Sequence, residues 1–165
     1  MKRIIPILLL LLAFSPLNVS ADTSPQVIDL NHLSQTMKEQ QKHLFLFFHK
    51  EGCSYCEDMI VKSIKTPQIQ SKLKQHFIFI DINIDMPGMV YYRQFKGSHH
   101  AFAKSLGIGL YPTAVFVDGN NEIIHGIVGY RNARQLSLAI DYVQGEYYKK
   151  MDFEAYQNEV EFLED

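Results

Sequence analysis

The first half of the chain alternates between segments with a helical period and segments of strand type. Leu30, Leu33 and Met37 recur at helical spacing. The run His43–His49 is apolar through its middle, as in a strand that is covered on both faces. A strand, a helix and a second strand in succession imply a right-handed parallel crossover. The predicted elements are helices over residues 29–41, after Gly52 to about residue 64, and from Thr66-Pro67 onward, with strands over His43–His49 and residues 76–85.

The second half of the chain is divided by turn signals. Residues 118–121, Asp-Gly-Asn-Asn, are a strong hairpin signal between two short apolar runs. Residues 89–97 show no clear period, and we predict that they cross the surface and shape access to the cysteines at positions 53 and 56. The predicted elements of this half are helices that begin at Ser98, Asn132 and Met151, and strands over residues 114–117 and 122–128.

The N-terminus has the three parts of a secretory signal peptide. Basic residues precede an apolar stretch over residues 4–14, and Val19-Ser20-Ala21 offers small residues at a cleavage site. The apolar stretch is shorter than the roughly 20 residues that a spanning helix needs. We therefore predict a signal peptide at residues 1–21, no stable membrane span after processing, and one domain over residues 22–165. Residues 22–26 would be a mobile lead-in, and residues 151–165 an amphipathic C-terminal helix.

Charge and length narrow the possible functions. The chain has 165 residues, with 16 basic and 18 acidic ones. The leader carries two of the basic residues and none of the acidic ones, which leaves a net charge of −4 for residues 22–165. A mildly acidic chain without a basic stripe gives no support for nucleic-acid binding. A periplasmic or otherwise exported location would allow disulfides to persist.

The chemistry of the chain is concentrated in Gly52-Cys53-Ser54-Tyr55-Cys56, directly after the first predicted strand. A thiolate, rather than a thiol, attacks a disulfide, and the unpaired N–H groups of a helix N-terminus favour that anion. Cys56 lies one turn after Cys53 and could resolve a mixed disulfide formed there. We predict a redox-active disulfide between Cys53 and Cys56, with both residues catalytic.

Two other interpretations of the cysteine pair remain open. A structural disulfide closing so short a loop would stabilise the fold by only about 2 kcal/mol, against about 3 kcal/mol for a fifteen-residue loop. A zinc site could use both cysteines and His49, but a closed site needs four ligands. His99 and His100 are adjacent in sequence and badly placed to chelate together. We therefore predict no metal and no cofactor beyond the disulfide.

The order of elements, the cysteine motif, Tyr111-Pro112-Thr113 and the Asp-Gly hairpin together resemble a thioredoxin-like fold. The similarity covers roughly residues 27–162 and is greatest to the exported SoxW-type thioredoxin-like group. It implies an α/β fold with a central mixed sheet flanked by helices. It also implies a cis peptide bond before Pro112, beside an exposed nucleophile Cys53 and a buried Cys56. An ordinary strand-initiating proline is the alternative for Pro112. Tyr55, Tyr111, Pro112 and Thr113 are the predicted substrate-binding residues.

The chain departs from the family pattern next to the cysteines. Phe47 stands where many thioredoxins have a buried Asp that assists proton transfer. Gly52 replaces a common Trp, and Ser54-Tyr55 replaces Gly-Pro. Proton transfer would then rely on water or on a nearby titratable group, and the candidates are His49, Glu51 and Glu57. For His49, a solvent-facing strand end is the alternative.

These patterns predict an exported thiol–disulfide oxidoreductase, most simply a monomeric reductase of protein disulfides. Its partners would be protein disulfides or dithiols and an envelope electron donor or acceptor. A different hypothesis is a redox-inactive or metal-binding scaffold that assists cytochrome or copper-site maturation. The second hypothesis predicts no disulfide exchange at all.

Overall fold

The computed structural model describes residues 26–164. The predicted signal peptide, its cleavage site and residues 22–25 lie outside this range. The strands are β1 (Gln26–Asp29), β2 (His43–His49), β3 (Phe77–Asn83), β4 (Gly88–Tyr92), β5 (Phe95–Ser98), β6 (Thr113–Val117) and β7 (Ile123–Val128). The α-helices are α1 (Leu30–Gln40), α2 (Ser54–Met59), α3 (Pro67–His76), α4 (His99–Ser105), α5 (Ala133–Gln144) and α6 (Phe153–Glu164).

A mixed sheet with the order β3-β2-β6-β7 forms the centre of the domain. Strand β2 runs parallel to β3 and antiparallel to β6, and β7 is antiparallel to β6. The five middle residues of β2 are fully buried because helices cover both faces of the sheet. The predicted crossover from β2 through helices to β3 is confirmed, as are the β6–β7 hairpin and the α/β fold class.

A second sheet, with the order β1-β4-β5, was not predicted. Residues 89–97, expected to cross the surface without regular structure, form most of the β4–β5 hairpin. Strand β4 alternates, with Gly88, Val90 and Tyr92 buried, and it pairs in parallel with β1. Gln26 therefore begins a strand, and its assignment to the lead-in was wrong. This pairing joins segments that are about 60 residues apart, which a local pattern does not reveal.

The central sheet separates two apolar cores. On one face, Phe45 and Phe47 pack with α3, α5 and the C-terminal segment. On the other face, Leu46 and Phe48 pack with α1, α4 and the second sheet. Alternate residues of β2 thus serve opposite cores. The fixed position of β2 determines where the chain turns into the cysteine motif.

The C-terminal helix packs on the domain, as predicted, although it begins at Phe153 rather than at Met151. Tyr156 is 8% exposed, and its ring lies 5.4 Å from that of Tyr142 on α5. Phe162, near the end of this predicted amphipathic helix, is 82% exposed. The helix therefore contributes to the core through Phe153, Tyr156 and Val160, and not through its last turn. Among residues 26–164, no helix combines the length and the hydropathy that a membrane-spanning segment requires.

Candidate active site

Cys53 occupies the N-cap position of α2, at the carboxyl end of the central strand β2. Its backbone is extended, and its Sγ accepts a hydrogen bond from the backbone N–H of Cys56 at 3.2 Å. The Cys53 carbonyl also receives the N–H groups of Cys56 and Glu57. The sulfur therefore lies at the positive end of a helix, where negative charge is stabilised. Partial exposure leaves it within reach of another molecule.

Cys56 lies one turn further along α2 and is joined to Cys53 by a disulfide. The Cα atoms of the pair are 5.2 Å apart, within the usual range for a bridge. Cys56 is only 1% exposed, and its neighbour in the helix, Met59, is fully buried. The two sulfurs thus differ in access, which is the asymmetry expected of an attacking and a resolving thiol. Within the described residues there is no free cysteine.

The helix continues without a proline but changes its geometry. After Met59 the chain forms a π-helical segment, Ile60–Ile64, closed by a hydrogen bond from the Lys65 N–H to the Ile60 carbonyl at 2.8 Å. A π-helical turn shifts the direction of a helix and is frequent near functional sites. Fully buried Ser63 donates its hydroxyl to the Arg131 carbonyl at 2.6 Å. This bond ties the helix of the cysteine pair to the loop that follows β7.

The turn before Cys53 needs a glycine. Gly52 has φ +62°, in the left-handed region that side chains disfavour. The N–H of Glu51 donates to Asp85 Oδ2 at 2.9 Å, so the loop after β3 holds this turn in place. Sequence reasoning missed Asp85. Its position two residues after the end of a parallel strand was the available signal, because neighbouring parallel strands end at the same edge.

Pro112 lies beside the cysteines, in the loop that leads into β6. The Tyr111–Pro112 peptide bond is cis, as the resemblance implied. The Tyr111 carbonyl oxygen is 4.0 Å from Cys53 Sγ, and the Pro112 carbonyl accepts the Gly129 N–H at 2.8 Å. Buried Thr113 donates its hydroxyl to the Leu110 carbonyl at 2.7 Å. These contacts fix a backbone edge next to the disulfide.

The predicted substrate-binding residues do not share one role in the structure. Tyr55 is 67% exposed beside the cysteines, so its ring is free to contact another molecule. Burial raises the pKa of the Tyr111 hydroxyl, and the charge of Asp85 adds to that increase. Pro112 and Thr113 are buried, so they offer backbone groups rather than side chains. Substrate binding by all four residues stays a prediction.

An apolar rim that sequence reasoning missed adjoins the cis-proline loop. Leu110 is 68% exposed and Val128 is 53% exposed, values that are high for large apolar side chains. Both line a cavity of about 280 Å³ between the loop after α4 and the strands β6 and β7. Leu110 follows Gly109 in a short loop, and this apolar residue among turn residues was the available signal. Two exposed apolar side chains therefore lie close to the cis-proline loop.

The three candidates for proton transfer differ in their burial and contacts. His49 is not solvent-facing: its side chain is 14% exposed, and its Nε2 lies 2.8 Å from Asp81 Oδ1, an ion-pair distance without hydrogen-bond alignment. Its ring stacks on Phe47 at 5.6 Å. Glu51 and Glu57 are exposed. Phe47 itself is fully buried in the apolar core, so no carboxylate replaces the family's buried acid at that position.

The described residues also include His, Cys, Asp and Glu side chains, the usual ligands of transition metals. Over residues 26–164, no group of three or more His, Cys, Asp or Glu side chains is placed to hold a metal ion. His99 and His100 differ in burial, since His99 is 3% exposed and His100 lies on the surface.

Comparisons with known proteins agree with this geometry. A family model described as a thioredoxin-like domain matches residues 30–144. A thioredoxin-fold protein from Helicobacter pylori is similar in structure, with a TM-score of 0.60 and 22% identity, over 73% of this chain and 80% of the other. The oxidised C-terminal domain of Neisseria meningitidis DsbD gives a TM-score of 0.50 and 19% identity, over 73% and 97%. A DsbH oxidoreductase gives 0.52 and 12%, over 79% and 94%. A search of curated proteins found no match.

The solved structures show a shared fold, and the family model covers most of the described chain. At a general level, this fold and the bonded cysteine pair support thiol–disulfide oxidoreductase chemistry. The chain belongs to the thioredoxin-like domain family.

Proposed function

We propose that this protein is an exported thiol–disulfide oxidoreductase that reduces protein disulfides through Cys53 and Cys56. The observation that carries the proposal is the asymmetry of the pair. Cys53 is partly exposed at a helix N-terminus beside the Tyr111 carbonyl, and Cys56 is buried beneath it. A structural disulfide would not need one sulfur to face solvent next to exposed apolar side chains.

The reaction has two exchange steps. In the reduced protein, the Cys53 thiolate attacks one sulfur of a substrate disulfide, and the other substrate sulfur leaves as a thiolate that takes up a proton. The Cys56 thiolate then attacks the Cys53 sulfur, forms the Cys53–Cys56 bond and releases the second substrate thiol. Two electrons have passed to the substrate, and an envelope dithiol must return them. No bound metal or cofactor takes part in this scheme.

The environment of Cys53 favours the attacking role. The Cys56 N–H and the end of α2 stabilise a thiolate at Cys53, whereas the buried surroundings of Cys56 disfavour a charged sulfur there. A proton from Cys56 must reach water or the leaving substrate thiolate, because Phe47 offers no acceptor. The apolar rim and the exposed ring of Tyr55 would contact an unfolded or extended segment of the substrate protein.

The proposal also specifies the direction of electron transfer and the cellular location of the protein. We favour reduction by a monomeric, SoxW-type protein, after removal of residues 1–21 in the periplasm or an equivalent exported compartment. The leader pattern supports export, and the DsbD domain and the DsbH oxidoreductase with a similar fold support redox chemistry. Mass spectrometry of the protein from an envelope fraction should find an N-terminus at Asp22. An intact leader in the mature protein would contradict the cleavage.

Insulin-disulfide reduction with dithiothreitol as electron donor tests the central claim. The Cys53→Ser variant should lose the activity, because no attacking sulfur remains. Cys56→Ser should also turn over poorly but should accumulate mixed disulfides through Cys53, which makes it the matched control for folding and access. A wild-type protein that neither reduces insulin nor exchanges with glutathione would refute the proposal and favour the scaffold hypothesis.

A further inference from the structure

The loop after β3 connects the protein interior to the turn that carries Cys53. His99, 3% exposed at the start of α4, has its Nδ1 at 2.9 Å from the Asn83 carbonyl. A carbonyl oxygen only accepts, so Nδ1 is the protonated ring nitrogen. Asn83 in turn accepts the Asp85 N–H on its side-chain oxygen at 3.0 Å and the Met86 N–H on its carbonyl at 3.3 Å. The backbone of Asp85 is therefore held by half-buried Asn83, which is anchored on buried His99, while the side chain of Asp85 is exposed.

Asp85 links this anchored loop to the cysteine motif by a hydrogen bond. Its carboxylate accepts the Glu51 N–H at 2.9 Å, and Glu51 is two residues before Cys53. Burial raises the pKa of the Tyr111 hydroxyl and the charge of Asp85 adds to that increase; the backbone carbonyl of the same tyrosine lies 4.0 Å from Cys53 Sγ. Asp85 thus holds the turn before Cys53, and its charge also influences a tyrosine of the cis-proline loop. It holds a negative charge on the turn two residues before Cys53, close to the end of α2 that would stabilise a thiolate there.

We propose that Asp85 is a positioning residue whose charge opposes the Cys53 thiolate and thereby shifts the dithiol–disulfide equilibrium toward the disulfide. This inference rests on the proposed function. A negative charge near Cys53 makes the thiolate less favourable, so the reduced protein is less stable relative to the oxidised one. An oxidised form that is relatively more stable makes the reduced pair a stronger donor of electrons, which suits a reductase.

Other charged side chains near the motif also contribute to the electrostatic potential at Cys53. The turn and the first part of α2 carry Lys50, Glu51, Glu57 and Asp58, and Asp58 is paired with Lys62 at 2.8 Å. These side chains are carried by the motif itself. Asp85 differs from them because its place is set by a hydrogen bond to the turn and by Asn83, which in turn is anchored on His99.

The equilibrium with glutathione measures this effect directly. In that reaction the protein disulfide and two glutathione thiols give the protein dithiol and one glutathione disulfide, so two electrons and two protons pass to the protein. The Asp85→Asn variant removes the charge and keeps an oxygen that can accept the Glu51 N–H. The equilibrium constant for oxidation of the dithiol by glutathione disulfide describes the reverse of this reaction. We expect that constant to be two- to threefold lower for the variant than for wild type. We also expect Cys53 of the reduced variant to react about twofold faster with iodoacetamide at neutral pH, because more of it is thiolate.

Salt and two further variants separate charge from structure. A through-space effect should be largest at about 0.01 M salt, where the Debye length is about 30 Å, and should shrink at about 1 M, where it is about 3 Å. Glu159→Gln removes an exposed charge from α6, which packs on α5, and should leave the constant unchanged. Asp85→Ala also removes the hydrogen-bond acceptor, and by the same charge argument it should shift the constant as far as Asp85→Asn.

Each outcome has a definite meaning. A salt-sensitive shift in Asp85→Asn that Glu159→Gln does not share supports the proposal. An unchanged constant in Asp85→Asn, a shift confined to Asp85→Ala, or an equal shift in Glu159→Gln would overturn it, even if wild type exchanges normally. A wild-type dithiol that never equilibrates with glutathione would overturn the proposed function as well, so the two failures are distinguishable.

Discussion

Replacing Ser63 with alanine should weaken the link between the cysteine-bearing helix and the loop after β7. Ser63 is fully buried in the π-helical segment, and its hydroxyl donates to the Arg131 carbonyl at 2.6 Å. The substitution removes one hydroxyl with almost no change in volume, so cavity effects are small. Removing one partner of a buried hydrogen bond usually costs about 1 to 2 kcal/mol. For a domain of this size, that loss corresponds to a decrease in Tm of about 3 to 6 °C.

Urea unfolding of the oxidised protein, followed by circular dichroism, measures the loss. The matched control is Ser105→Ala, which deletes a hydroxyl that bonds only the Phe102 carbonyl of its own helix. That control should change the unfolding free energy by no more than about 0.5 kcal/mol, because alanine is the better helix former. If Ser63→Ala unfolds at the same urea concentration as wild type, the hydrogen bond does not stabilise the π-helical segment, and the reasoning is wrong.

Three further predictions concern reactivity, pH and an ion pair. Iodoacetamide should label Cys53 before Cys56 in the reduced protein at neutral pH, since only Cys53 is accessible; peptide mapping that finds Cys56 labelled first would reverse their roles. Burial lowers the pKa of His125, so the unfolded chain binds more protons and stability should fall as the pH drops below about 6.5. His125→Phe should flatten that dependence in urea midpoints measured across this range, and an equally steep curve would contradict it. Lys72 Nζ lies 2.6 Å from Asp141 Oδ1 between α3 and α5, so Lys72→Met should lower the unfolding free energy by about 1 kcal/mol, an effect that Asp141→Asn should largely share. Fully additive losses in the double variant would show that the two side chains act independently.

Local patterns predicted the central sheet because each of its strands carries its own signal. The run of β2 is apolar on both faces, and the Asp118 to Asn121 turn lies between β6 and β7. Helix starts were equally local: Asp29, Ser98 and Asn132 each accept a backbone N–H with the side chain, as N-cap residues do. These features depend on neighbours in sequence, so they could be inferred without coordinates.

The second sheet and the apolar rim depend on contacts between distant segments. Strand β1 has four residues, and only its pairing with β4 makes it a strand. The exposure of Leu110 cannot be inferred from its type, because apolar residues are usually buried. The role of Asp85 is set by a bond to Glu51, 34 residues away, and the parallel pairing of β2 with β3 brings the two together.

The amino-acid order alone determined that one pair of thiols would stand at the start of a helix, since the glycine turn and the strand before it are encoded within ten residues. Tertiary packing decided which sulfur is covered, which backbone carbonyl faces the other, and which carboxylate holds the turn. The physical reason is distance along the chain: capping and periodicity act over a few residues, whereas burial and charge act between any groups that the fold brings together.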